Sequence, residues 1–345
     1  PPPTEEETAE AMRDGFGILH QLGVTGVHDY RIMGGADGPP AFRAYQRIRT
    51  EGDLDLRLWM HIPGELLEEA VALGLRTGVG DDYLRVGHVK LFSDGGQGAR
   101  TAWMLEPYED TGDRGMPLTP MDEIARAVKL ADRSGLAVAI HAIGDRANRE
   151  LIGVFEDVLG DARDADTAPP VAPHRIEHVQ MIRPEDVSRL ARLDVVASVQ
   201  PIHCPDDIPM VETSVGPRGR FAYPFRDMLD AGVTMAFGSD CPVASPNPLF
   251  GIHAAATRQT RDGNPPDGWY PAQRLTPAQA VWGFTMGTAL VSGREAQLGS
   301  ITPGKLADLI VLDRDILDSD CTPPEEIASA EVVLTVFDGR VVYEA

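Results

Sequence analysis

The feature that most constrains this chain is a repeated alternation, in which a short, nearly continuous apolar run is followed by an amphipathic stretch of helical period. Seven such runs read as strands, at residues 23–29, 56–62, 84–92, 136–141, 174–179, 195–200 and 233–238. Helical patterns cover 5–22, 40–51, 66–75, 121–134, 146–159, 184–193 and 223–231. Several strands begin just after a glycine at a helix end, as in QLGVTGV, RSGLAVAI and DAGVTMAF. That glycine closes a helix and feeds a buried parallel strand. Repeated βα units build either a closed barrel, which needs eight strands, or a doubly wound open sheet. Two further helical patterns follow at 248–258 and 276–292, and the texture then changes to strand and turn in GSITPGKLADLIVLD and VVLTVFDGRVVYE. The expected division is a (β/α) barrel portion over 1–292 and a small β portion over 293–345.

Charge narrows the partners. Against 53 acidic residues stand 31 basic ones, a net charge of −22, and no basic patch occurs. Nucleic acid and anionic membrane surfaces are therefore poor matches, and a small-molecule substrate is the expected partner. No apolar run nears the roughly 18 residues of a membrane span. Cys204, Cys241 and Cys321 are widely spaced, without the pairs of a zinc ribbon, and read as free thiols of a reducing, cytoplasmic setting. The opening PPPTEEETAEAM has no initiator Met and no signal-peptide pattern, so a longer natural polypeptide is expected. A homodimer is the expected assembly.

The informative pattern is where polar residues fall along the apolar runs. Lys90, His141 and His178 stand at the carboxyl ends of three strands, and Asp240 lies just past a fourth. That is the end at which α/β barrels and open sheets place their active sites. Two neutral imidazoles and a carboxylate suit zinc and similar divalent ions, which polarise a carbonyl and activate water. Lys90 has two readings: an amine that has taken up carbon dioxide and become a bridging carboxylate, or an ammonium paired with Asp94 or Asp240. Asp240 can serve as ligand, as base for the attacking water, or as an N-cap. The DGGQGAR segment lacks phosphate-loop spacing and reads as a turn that presents Asp94 and Arg100. His203, in the loop after the strand at 195–200, can face a substrate or solvent. His20, His61, His88 and His253 read as structural, His28 in the first strand reads as core packing or as functional, and His174 is ambiguous because it shares a strand face with His178.

At these motifs the chain resembles amidohydrolase family 3, the branch of the amidohydrolase superfamily that includes N-substituted formamide deformylases. The matching text is VHDYR, VKLFSDGGQGARTAWMLEPY, IHAIGDRAN, HRIEHVQ, SVQPIHCPDD, FGSDCPVASPNPLFGIHAA, LTPAQAVWGFTMGTA and LGSITPGKLADLIVLD, spread over nearly the whole chain. The resemblance implies a (β/α)8 TIM barrel with a small β-sandwich, and hydrolysis of an amide or other C–N bond by metal-activated water. It implies that Lys90, His141, His178 and Asp240 are ligands of one or two divalent ions, zinc first among them, with Lys90 open to carboxylation. Asp240 would also be the catalytic base, His203 a second catalytic group, and Asp94, Arg100, Gln200 and His203 substrate-binding. Members also carry a His-x-His pair on the first barrel strand. None occurs here, so the first strand is expected in a segment upstream. Two rival readings are a noncatalytic binding barrel and a lactone or ester hydrolase using the same metal site.

Overall fold

Each expected apolar run forms a strand: β1 (Gly26–Asp29), β2 (Arg57–Pro63), β3 (Leu84–Phe92), β4 (Val138–Ala142), β5 (His174–His178), β6 (Val195–Val199) and β7 (Met235–Phe237). The computed structural model describes residues 3–30, 38–160 and 168–345. The strands form one sheet in chain order, each pair parallel, and among the described residues β1 and β7 are its edges. In a flat sheet β1 and β5 would stand four spacings of about 4.8 Å apart. Yet Arg175 Nη1 of β5 lies 2.8 Å from His28 Nδ1 of β1. The sheet is therefore strongly curled, an incomplete TIM barrel.

Strand parity separates two faces. Leu58 and Met60, Val89, Val138 and Ile140, Ile176, Val195 and Ala197 face the apolar layers under the helices. Among the residues between them, Trp59, His61, His88, Lys90, Arg175, Glu177 and Ser198 are also buried. The concave side is thus rich in polar groups, where barrels usually place branched aliphatics.

Two helical segments differ from expectation. The stretch read as a loop after β6 is a helix, His203–Val215, although it contains Pro205 and Pro209. Pro205 sits in the first turn, where its missing N–H is not needed. The pattern at 276–292 is a helix at Pro277–Trp282, a π-helical turn at Gly283–Gly287 and a helix at Thr288–Val291. Packing requires those glycines: a Cβ on Gly283 would stand 2.6 Å from the Phe237 ring, and one on Gly287 2.4 Å from the Met235 carbonyl oxygen.

A small antiparallel sheet follows, with β9 (Val332–Phe337) between β8 (Leu309–Leu312) and β10 (Arg340–Glu344). Asp338 and Gly339, both at positive φ, close its hairpin. Buried Arg57 of β2 pairs with Asp308 through Nε at 2.5 Å and Nη2 at 2.8 Å, tying this sheet to the barrel. Among the described residues, no helix is long and apolar enough to cross a membrane.

Candidate metal centre

The carboxyl ends of the strands bring six of the expected residues together. The His141 ring meets the His178 ring edge-on, with centroids 4.5 Å apart, and the His203 ring stacks with that of His178 at 6.4 Å. Ligand atoms of His178, His203 and Asp240 all lie within 4.8 Å of one another. Lys90 of β3 and Gln200, just past β6, complete the neighbourhood.

Backbone strain aims these side chains. Parity would send His178 to the helix side with Ile176 and His174, and His174 does point there, its Nε2 3.1 Å from Asp132 Oδ1. His174 therefore stands outside the site, which resolves its ambiguity. His178 escapes that face because its φ is 76°, followed by 47° at Val179. Two left-handed residues in succession, one of them β-branched, are unfavourable, and bonds from Val179 N to Ala142 O and Met181 N to Ile143 O hold the turn. Asp240 is also left-handed, with φ 57°.

Hydrogen bonds determine which ring nitrogens are available. Gln200 donates its amide to the Ser198 carbonyl at 3.3 Å, which turns Oε1 toward His178 Nδ1 at 2.8 Å. His178 must then donate from Nδ1 and carry its lone pair on Nε2. His203 bonds to the backbone of Ser239, and its buried Nε2 meets no partner. Burial holds both rings below the usual histidine range, and it pushes His141 down to about 4, with Lys90 adding to the effect. Burial pushes the Asp240 carboxyl up to about 6, against the pull of Lys90. Neutral imidazoles beside a carboxylate, one with an orphaned buried nitrogen, fit a divalent cation.

Lys90 corrects one expectation. Among the described residues no carboxylate lies within ion-pairing distance of it, so neither Asp94 nor Asp240 is its partner. Its Nζ instead faces the rings of Tyr30 and Phe92, 4.8 and 4.9 Å from their centroids. Burial pulls its amine down to about 8, against Glu177 and with Arg175.

Two other expected site residues are held by partners inside the chain. Asp94 is sealed inside, where its carboxylate accepts from the amides of Ile143, Gly144 and Trp103 at 3.0, 2.9 and 2.8 Å. Arg100 is bound to Asp110 through Nε and Nη2 and to the Gln97 carbonyl through Nη1. With their polar atoms engaged inside the chain, both brace the loop. Gln200 is turned toward His178 in the same way. Replacing Gln200 by Ala is expected to weaken divalent-ion affinity about 10- to 100-fold, the usual effect of losing a ligand's hydrogen-bond partner. Titration with a competing chelator measures this.

Sequence reasoning missed Tyr30, Arg175 and Glu177, which line the inner wall beside Lys90. The alternation in HRIEH, with Arg175 and Glu177 on the face opposite Ile176, is the signal that would have found them.

An incomplete parallel barrel with imidazoles and a carboxylate gathered at the carboxyl ends of its strands has the architecture of a metal-dependent hydrolase. The Amidohydrolase family model matches residues 1–343, and the chain belongs to amidohydrolase family 3. It is 32% identical to Protein LONG AFTER FAR-RED 3 of Arabidopsis thaliana, over 98% of this chain and 58% of that protein. It is 27% identical to the putative amidohydrolase YtcJ of Bacillus subtilis, over 100% of this chain and 63% of that one. The N-substituted formamide deformylase of Arthrobacter pascens is 31% identical over 62% of this chain and 38% of its own length. Among solved structures, an uncharacterized metal-dependent hydrolase from Pyrococcus furiosus superposes with a TM-score of 0.78 at 29% identity, over 92% of this chain and 62% of that one. The chain thus spans about 60% of the length of the first of these relatives.

Proposed function

We propose that this chain forms the greater part of a metal-dependent amidohydrolase that cleaves an amide or other C–N bond of a small molecule. The observation that carries the reading is the gathering of His141, His178 and Asp240, with His203 beside them, at the carboxyl ends of the strands: the His141 and His178 ring centroids lie 4.5 Å apart, and donor atoms of His178, His203 and Asp240 lie within 4.8 Å of one another. His141, His178, Asp240 and Lys90 would hold a divalent ion, zinc by the nitrogen-rich donor set. Such an ion, when bound, polarises the scissile carbonyl and acidifies water.

The remaining work falls to this chain's own groups. Asp240 takes the proton of the attacking water and returns it to the departing amine. His203, adjacent to both His178 and Asp240, places the substrate oxygen or leaving group. Lys90, buried with no carboxylate partner among the described residues, loses one proton to become the neutral amine and a second as Nζ bonds to carbon dioxide, so that a costly buried cation becomes a carbamate whose carboxylate can act as a ligand. The resemblance to N-substituted formamide deformylase over part of the chain supports an N-acyl amine as the substrate class.

The test uses the protein at its full natural length against a panel of formamides, larger amides, lactones and esters, before and after chelation. Amide turnover should fall at least about 100-fold on chelation and return with zinc. Turnover indifferent to chelation, or a preparation that binds no divalent ion, overturns the reading. Hydrolysis confined to lactones or esters would keep the centre and replace the C–N bond as its target.

A further inference from the structure

Two buried groups of β5, Arg175 and Glu177, have no role in the reading above. Arg175 is 1% exposed, and its Nη1 and Nη2 donate to His28 Nδ1 at 2.8 Å and His61 Nε2 at 2.5 Å. A guanidinium can only donate, so each ring turns a lone pair toward it and stays neutral. Burial, with Arg175 adding to it, holds both rings well below the usual histidine range. Arg175 is thereby locked across the barrel to β1 and β2.

The charge of Arg175 is met by Glu177, whose Oε1 stands 2.8 Å from Arg175 Nε. The same oxygen accepts the Tyr30 hydroxyl at 2.6 Å. The Tyr30 ring is in turn shared by two cations: the Arg175 guanidinium carbon lies 5.0 Å from its centroid and Lys90 Nζ 4.8 Å. A lysine stem has four rotatable carbons, and an amine of defined place needs something to hold it. Here no carboxylate does so among the described residues, and the ring faces of Tyr30 and Phe92 do.

We propose that Tyr30 and Glu177 are positioning residues for Lys90, with Arg175 anchoring the pair. Glu177 fixes the tilt of the Tyr30 ring, and the ring holds the Lys90 amine beneath the histidines before it takes up carbon dioxide. The inference rests on Lys90 being part of the metal centre, but its platform can be tested without turnover.

The chain has three lysines, Lys90, Lys129 and Lys305, so two internal controls are built in. The full-length protein, its Y30F variant and its E177Q variant are acylated with dilute acetic anhydride in bicarbonate-free buffer. The rate at each lysine is read by peptide mass spectrometry. Both variants keep the shape of the side chain and lose the Tyr30–Glu177 link or its charge. Lys90 should react about three- to tenfold faster in each, the scale of a weakened cation–π contact, while Lys129 and Lys305 keep their rates. Where the protein turns over an amide, kcat should fall with KM within about twofold, the pattern of a misplaced group rather than a lost binding contact. An unchanged Lys90 rate overturns the proposal, as does an acceleration common to all three lysines, which signals general loosening. Failure of the hydrolase reading appears separately, as no amide turnover in the unaltered protein.

Discussion

Replacing Asp240 by Asn is expected to reduce kcat/KM about 10³-fold, within the range assigned to a lost general acid–base group. The substitution isolates chemistry from folding for a reason visible in the backbone. Asp240 has φ 57°, a left-handed conformation that most residues resist and that Asn adopts readily. Asn also matches the side chain in shape. What disappears is a carboxylate able to take a proton and hold a cation. Steady-state kinetics, thermal unfolding and ion content on the same preparation check the result. The thermal midpoint should move little, and ion content should fall less than turnover. Turnover equal to that of the unaltered protein would remove Asp240 from the reaction.

The largest effect on stability is expected at Asp94, outside the group that meets the ion. One of its carboxylate oxygens accepts from Ile143 N, and the other from both Gly144 N and Trp103 N. These amides belong to the turn after β4 and to the long loop after β3, so one buried side chain clasps two segments that border the centre. In Asn one of the two oxygens becomes an NH2 group, which faces a backbone donor whichever way the amide is turned. The variant D94N should lose about 1–3 kcal/mol, the scale of a buried hydrogen bond replaced by an unsatisfied donor. Urea unfolding of the full-length protein measures it. A loss below about 1 kcal/mol would mean that the amides find other acceptors. Because the His141 Nε2 lies 3.2 Å from the Gly95 carbonyl of the same loop, ion affinity should fall together with stability.

Several elements of the centre were legible in the linear sequence. An apolar run that ends in a polar residue shows both a parallel strand and the end at which its chemistry sits, so Lys90, His141, His178 and Asp240 stand out before any folding. His203 stands close by, in a stretch whose prolines make it resemble a loop. Pro205 and Pro209 conceal a helix whose first turn tolerates one proline and whose packing against the barrel carries the other. The direction of His178 was concealed as well. Alternation puts it on the helix side with His174, and only the two left-handed residues at its end turn it inward.

Asp94, Arg100 and Gln200 show the opposite difficulty. Each is a polar residue in the expected place, and each is occupied by a partner inside the chain. Asp94 is held by three backbone amides from distant segments, Arg100 by Asp110, and Gln200 by His178 and Ser198. A free donor and an engaged one look alike in sequence.

By itself, then, the sequence determined the strand count, the parallel order, the family and the residues at the carboxyl ends, because these follow from period, glycine caps and local motifs. The tertiary structure alone decided which of those residues meet. It curled β1 against β5, so that Arg175 reaches His28 and Tyr30 reaches Glu177, pairs that lie 147 positions apart in the chain. Such contacts arise from how far a sheet bends, a property of all its strands together, and no window along the chain records it.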